Sequence, residues 1–124
     1  MRTHESLIAW QRARAFVLEV YRVTGACWKP QYAAVIDQLR RSALSLQLNI
    51  AEGYALRSDG LFRKHLTIAY GSGVEAVDAL GVLIALVHQK NPELEELSAA
   101  GGRCCALVLA LKHSVERGDR RQEG

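Results

Sequence analysis

Two acidic side chains, Glu52 and Glu75, lie in polar stretches of otherwise apolar segments. A pair of carboxylates is an arrangement that general acid–base catalysis can use. No histidine or nucleophile stands at a recognisable spacing from either glutamate, however. We therefore expect these carboxylates to form structural hydrogen bonds. A hydrolase that uses Glu52 and Glu75 is kept only as a third hypothesis, after the two given below. The sequence predicts no enzyme and no catalytic residue.

Metal-binding side chains are present but scattered. A di-iron bundle would need Glu-x-x-His motifs, which the sequence lacks. The histidines occupy unrelated positions, so we expect them to face solvent or to pack: His4, His65, His88 and His113. Cys27, Cys104 and Cys105 are odd in number and lack the paired spacing of a zinc site. We predict reduced thiols, with no metal and no cofactor.

Arginine and lysine are the side chains best suited to a binding function. The net charge is +3, but residues 1–70 hold ten Lys or Arg against five acidic residues, whereas residues 71–124 hold six against eight. Such a basic region can attract nucleic-acid phosphates. For a monomer of this charge, a solvated face is the better interpretation. The candidate nucleic-acid-binding residues are Arg12, Arg14, Arg22, Arg40, Arg41, Arg63 and Lys64.

Apolar residues recur three or four positions apart through most of the chain, which predicts helices. Ser58 and Asn91 are predicted N-caps, and Gly53 is a predicted left-handed cap. Short connections make sequential helices antiparallel, so the predicted fold is all-α, an antiparallel up-down-up-down four-helix bundle. The whole chain, 1–124, forms one domain. The predicted helices cover about residues 5–25, 32–53, 59–89 and 92–116, and the tail 117–124 is expected to fray.

The second predicted helix has apolar residues on two sides. One side forms the core stripe, and the other carries Leu44, Leu48 and Ala51. A second apolar side indicates either deep burial within one chain or contact with another subunit. We favour the subunit contact, because a four-helix protein offers few additional neighbours.

A polar ribbon separates these two sides, and polar groups flanked by apolar ones need hydrogen-bond partners. The third helix can supply them, since its small residues Gly71 and Gly73 allow two backbones to approach closely. Arg57 in the connection is a natural counter-charge for a glutamate. The predicted structural polar network is Asn49, Glu52, Arg57, Ser72 and Glu75.

The sequence has no run of about eighteen uncharged apolar residues, and its first residues lack the long apolar stretch of a secretion signal. We expect a cytoplasmic protein with no membrane contact.

Several of these segments resemble a known family. The strings LIAWQRA (7–13), QLRRSALSLQLNIAEG (38–53) and FRKHLTIAYGSGVEA (62–76) are similar to the four helix bundle proteins encoded by intervening sequences in bacterial large-subunit ribosomal RNA genes. The resemblance extends through about residues 5–90. Asn49, Glu52, Gly53, Arg57, Ser72 and Glu75 match its characteristic positions.

The resemblance implies a homopentamer of four-helix bundles with a central opening and no established enzymatic activity. It also implies kinship with the accessory variability determinants of diversity-generating retroelements, which bind nucleic acid and a reverse transcriptase. Our first hypothesis is therefore a non-enzymatic, homo-oligomeric bundle that binds RNA or DNA through repeated basic faces, as the accessory subunit of a retroelement reverse transcriptase. The alternative is a protein-interaction scaffold with no nucleic-acid role.

Overall fold

The computed structural model describes residues 3–56 and 58–118. Four long helices make up most of this part of the chain, and short 3-10 turns precede the first two, at His4–Ser6 and Pro30–Tyr32. The predicted all-α, four-helix fold class is confirmed. The helices are α1 (Ile8–Ala26), α2 (Ala33–Ala55), α3 (Asp59–Leu86) and α4 (Pro92–Glu116).

Side-chain caps set the first residues of α3 and α4. The Ser58 hydroxyl accepts a hydrogen bond from the backbone N–H of Leu61 at 3.4 Å. The Asn91 side chain accepts from the N–H groups of Glu93 and Leu94 at 3.1 and 3.2 Å, and Pro92 occupies the first helical turn, where its missing N–H costs nothing. Both caps and the bounds of α4 agree with the sequence-based prediction.

Three helix ends differ from the prediction by two or more residues. Helix α1 begins at Ile8, because the 3-10 turn occupies residues 4–6. Helix α3 ends at Leu86, because Val87 leaves the helical region with φ −80 and ψ 113. Helix α2 continues past Gly53 to Ala55. The predicted tail from residue 119 onward lies outside the described residues.

The left-handed cap predicted at Gly53 is wrong. Gly53 is buried inside α2, and the only described glycine with positive φ is Gly118, at 73°. A Cβ on Gly53 would lie 2.7 Å from the Cβ of His65 and 3.0 Å from Cδ1 of Phe62. The glycine is therefore needed for the close approach of α2 and α3, and it has no role in ending the helix.

Cross-helix pairs show that sequential helices run in opposite directions. Moving forward along α2 from Gln38 to Asn49 corresponds to moving backward along α3 from Glu75 to His65. Gly73 of α3 lies close to Cys105 of α4, and Val77, further along α3, lies close to Gly101, which comes earlier on α4. Helices α3 and α4 are therefore antiparallel as well. Helix α1 packs against both α2 and α4, which closes the bundle.

The core is formed by the stripes that the three-four spacing predicts. From α2 it takes Ile36, Leu39, Ala43, Leu46 and Ile50, all fully buried. Phe16, Leu66, Leu80 and Val108 complete it from the other helices. Several apolar residues that follow the three-four spacing lie at the margin of the core and are only half-buried: Trp10, Val77, Ile84 and Val87.

Candidate functional site

A polar seam runs between α2 and α3. The hydroxyl groups of Ser45 and Ser72 lie 2.8 Å apart across it. The Asn49 amide donates to the Ser45 carbonyl at 2.9 Å and to its hydroxyl at 3.2 Å. The Asn49 carbonyl oxygen is 3.0 Å from Nδ1 of His65. These four half-buried side chains therefore satisfy one another between the helices.

A second set of polar contacts continues the seam toward the start of α2. The Gln38 amide donates to the Glu75 carboxylate across the seam. Gln38 in turn accepts from Nη2 of Arg41 at 2.9 Å. The Ser42 hydroxyl donates to the Gln38 carbonyl at 2.8 Å within α2. Glu75 is thus tied to α2 through Gln38.

The predicted polar network is only partly assembled. Asn49, Ser72 and Glu75 take part in the seam, whereas Glu52 is exposed and its side chain makes no hydrogen bond within residues 3–56 and 58–118. Arg57 lies outside the described residues. The prediction was too broad because it grouped residues by polarity and not by their height along the helices.

Glu52 and Glu75 do not form a carboxylate pair. Glu75 lies opposite Gln38, and Glu52 follows Gln38 by 14 positions on the same helix. At about 1.5 Å per residue this spacing separates them by about 21 Å along the bundle. The hypothesis of a hydrolase that uses these two glutamates is therefore wrong.

His65 belongs to the seam, although the sequence reasoning assigned it to solvent or to ordinary packing. A usable signal was present. His65, Ser72 and Glu75 are spaced by seven and then three residues, which places them on one face of α3. Gln38 and Ser45 show the same seven-residue spacing on α2. The shared face was a signal that His65 belongs with Ser72 and Glu75. The spacings alone do not give the cross-helix pairs, because matching the two seven-residue intervals would pair Gln38 with Ser72, whereas the structure pairs Gln38 with Glu75.

The second apolar side of α2 lies on the surface. Leu44 and Leu48 are 38% and 52% exposed, and Ala51 is half-buried. Burial of the two leucines within one chain is thus excluded. Helix α3 also carries exposed apolar residues, and we call the combined exposed set on α2 and α3 the outer apolar surface: Leu44, Leu48, Ile68, Val74 and Val82.

Helix α3 is unusually apolar for a helix with this much exposure. By length and composition alone it could cross a membrane, with a mean hydropathy of 1.5 over its most apolar window. Only 33% of that window is buried inside the bundle. A helix that is apolar on both its inner and outer faces needs a second apolar neighbour.

The predicted cations differ in how far they are engaged within the chain. Arg22 donates to Glu19 at 2.7 Å and to Glu93 at 2.6 Å, and these bonds raise its pKa above the usual value. Its hydrogen bond to Glu19 in turn lowers the pKa of that carboxyl. Arg40 is half-buried against α1. The remaining predicted cations are exposed and make no ion pair with a described carboxylate: Arg12, Arg14, Arg41, Arg63 and Lys64.

Between α1 and α4 the bundle opens into a groove with a volume of about 530 Å³. Its floor is apolar, with Phe16, Leu97 and Cys104 among the lining residues. The ion pairs Arg22–Glu93 and Arg103–Glu96 stand on its rim, at 2.6 and 2.8 Å. These four rim charges are therefore already paired, whereas Arg12, which also lines the groove, makes no ion pair with a described carboxylate.

The cysteines carry no metal site in the described part of the chain, where no group of three or more potential ligands comes together. Cys104 and Cys105 are buried, and Cys27 is half-buried. Burial raises the pKa of the Cys104 thiol to about 11, and it also raises the pKa values of Cys105 and Cys27. Neutral thiols of this kind behave as small apolar side chains.

The fold and the seam define a class: antiparallel four-helix bundles in which a half-buried polar seam joins the second and third helices. A family model described as "23S rRNA-intervening sequence protein" matches residues 5–108. The chain belongs to this family. The predicted resemblance to proteins encoded by ribosomal RNA intervening sequences is confirmed to that extent.

A solved structure shares the fold. It is the crystal structure of a protein of unknown function from the S23 ribosomal protein family of Bacteroides thetaiotaomicron, with a TM-score of 0.73. It is 17% identical in sequence, and the match covers 85% of this chain and 98% of that one. No curated protein matches the chain.

Proposed function

We propose that this protein is a non-enzymatic, homo-oligomeric bundle, a pentamer by family resemblance, that binds RNA or DNA through repeated basic faces in the cytoplasm. The observation that carries the proposal is the state of its predicted cations. Within the described residues only Arg22 among them forms an ion pair, so no described carboxylate neutralises the charge of the others, which can attract phosphate.

Assembly strengthens the attraction of these cations for phosphate. A single chain of net charge +3 attracts phosphate weakly, but a ring of copies presents each basic patch several times around one axis. The outer apolar surface supports self-association, since Leu44 and Leu48 are exposed in the isolated chain. Because the outer apolar surface and the cations lie on the same molecule, assembly and binding are parts of one proposal.

The binding test compares two pairs of substitutions. Arg63→Gln with Lys64→Gln removes two exposed, unpaired cations from the basic half of the sequence, and Lys90→Gln with Lys112→Gln removes two cations from the acidic half. We expect wild type to bind nonspecific RNA and duplex DNA with an affinity that falls steeply with salt. The first variant should bind more weakly, with a smaller salt slope, and the control should bind like wild type. No binding at low salt would overturn the proposal.

Subunit number is tested by light scattering on the eluting peak. Leu48→Lys places a charge on the outer apolar surface and should lower the subunit number. Leu18→Lys is the matched control, because Leu18 is 54% exposed and lies on α1. A monomeric wild type would contradict the assembly and with it the repeated basic face.

The finer part of the proposal is the accessory role for a retroelement reverse transcriptase. It is tested by co-purification of the oligomer with a reverse transcriptase encoded by a neighbouring gene. The presence of such a gene beside a variable-protein gene would support this role.

The second candidate is a protein-interaction scaffold, and the exposed apolar face of α3 favours it. Under this hypothesis the outer apolar surface holds a different protein, and the positive charge is incidental. Tight, salt-dependent nucleic-acid binding favours the first candidate. Absence of such binding together with a monomeric chain favours the scaffold.

A further inference from the structure

At the junction of α1 and α2, one arginine is held in a fixed position. The Cζ atom of Arg40 lies 4.7 Å from the centre of the Tyr21 ring, a cation–π contact. Its Nε donates to the Thr24 hydroxyl at 3.0 Å. That hydroxyl donates to the Val20 carbonyl at 2.6 Å, which fixes the acceptor. The two contacts orient the guanidinium before any ligand arrives.

The two Nη groups of the same guanidinium are left without hydrogen-bond partners. Nη2 is 3.9 Å from the place that a Cβ on Gly25 would occupy, so this edge lies beside the last turn of α1. Neither Nη atom makes a hydrogen bond within the described residues, and Arg40 has no ion pair there. Asp37, one turn earlier on α2, is exposed and leaves Arg40 unpaired. A fixed arginine with two free donors suits a phosphate group.

The connection between α1 and α2 carries an exposed tryptophan, three residues after the glycine that lies beside Arg40. Trp28 is 48% exposed, and the adjacent Lys29 is also exposed. Burial raises the pKa of the neighbouring Cys27 thiol, and a backbone hydrogen bond and the charge of Arg40 act against that rise. A large exposed indole ring that is followed directly by a lysine, in a connection whose preceding helix end lies beside an arginine, suits the binding of unpaired bases.

We propose that Trp28, Lys29 and Arg40, which we call the arginine–tryptophan corner, bind single-stranded nucleic acid. A backbone phosphate binds the free edge of Arg40, Lys29 contributes a second charge, and an unpaired base stacks on Trp28. This inference rests on the proposed function and narrows its ligand class. A duplex cannot use the corner fully, because its bases are already stacked on each other.

The experiment measures fluorescence anisotropy of a labelled oligothymidylate and of a labelled duplex at two salt concentrations, using the full chain. We expect Trp28→Ala to weaken oligothymidylate binding by about 10-fold, with less than a 2-fold effect on the duplex. Lys29→Gln should weaken both and reduce the salt slope by about one ion. Trp10→Phe is the control, since Trp10 is half-buried and packs its ring against His4; it should bind like wild type.

Arg40→Gln tests the phosphate contact, and circular dichroism checks that this variant still folds. Lys29→Gln tests the charge of the corner at an exposed position, where the substitution does not disturb packing. The inference is overturned if Trp28→Ala and Lys29→Gln bind oligothymidylate like wild type, or if Trp28→Ala weakens both ligands equally. It is also overturned if Trp28→Ala lowers the subunit number, because the corner would then be an interface between copies. Wild type that binds duplex but not oligothymidylate contradicts this inference alone, whereas wild type that binds neither contradicts the proposed function as well.

Discussion

The α2–α3 seam and the α1–α4 groove are two solutions to the same packing problem in one bundle. At the seam, Gly53 lets the backbones of α2 and α3 approach closely, and the polar groups between these helices pair across them. At the groove the helices are farther apart, an apolar cavity opens, and charges pair at its rim in water. The comparison indicates that polar contacts stabilise the fold where two helices approach closely, and that polar residues alone are not sufficient for this.

The largest expected effect is at the point of closest approach. Gly53→Ala would place a methyl group 2.7 Å from the Cβ of His65, which cannot move without its backbone. We expect a loss of about 2 kcal/mol in the free energy of unfolding, measured in urea, because overpacking outweighs the gain in helix propensity. Gly71→Ala, on the same helix pair but in open space, should instead stabilise by up to about 1 kcal/mol. Equal effects at both sites would show that the seam is not tightly packed.

The next effect sharpens the comparison by removing a polar group from the seam. Asn49→Ala leaves His65 and the Ser45–Ser72 pair without their shared partner. We expect a loss of about 1–2 kcal/mol in the free energy of unfolding, the cost of half-buried groups left unpaired. Thr67→Ala is the control, because the exposed Thr67 hydroxyl bonds only to the Arg63 carbonyl of its own helix. A control that loses as much stability as Asn49→Ala would contradict a special role for the seam.

The same comparison shows what could be predicted from the sequence. The helices and the core follow from apolar spacing, and the N-caps at Ser58 and Asn91 follow from residue type, so each was correctly predicted. Gly53 was misread because a glycine near a helix end suits both a left-handed cap and a close approach, and only the partner helix decides between them. His65 was missed for a related reason: its partner, Asn49, lies 16 residues away and is found only once the antiparallel register is known.

The groove should respond to pH through a buried thiol. Cys104 has a pKa of about 11 in the folded chain, raised by burial from an ordinary value of 9.0. Below about pH 9 the thiol is protonated in both states. Between pH 9 and 11 the unfolded chain releases the proton first, so stability is lost as pH rises. Relative to Cys104→Ala, wild type should lose about 2 kcal/mol over this interval in urea unfolding. A constant difference between the two proteins would contradict burial of Cys104.

The smallest effect is expected at the rim of the groove. Arg22→Gln removes bonds to Glu19 and Glu93 that are among the shortest ion pairs in the described chain, at 2.7 and 2.6 Å. All three side chains are more than half exposed, so water and salt replace the lost attraction. We expect no measurable change in the urea midpoint at physiological salt, and Arg103→Gln, at the other rim pair, should behave alike. A drop as large as that of Asn49→Ala would show that the rim charges, and not close approach, hold α1 against α4.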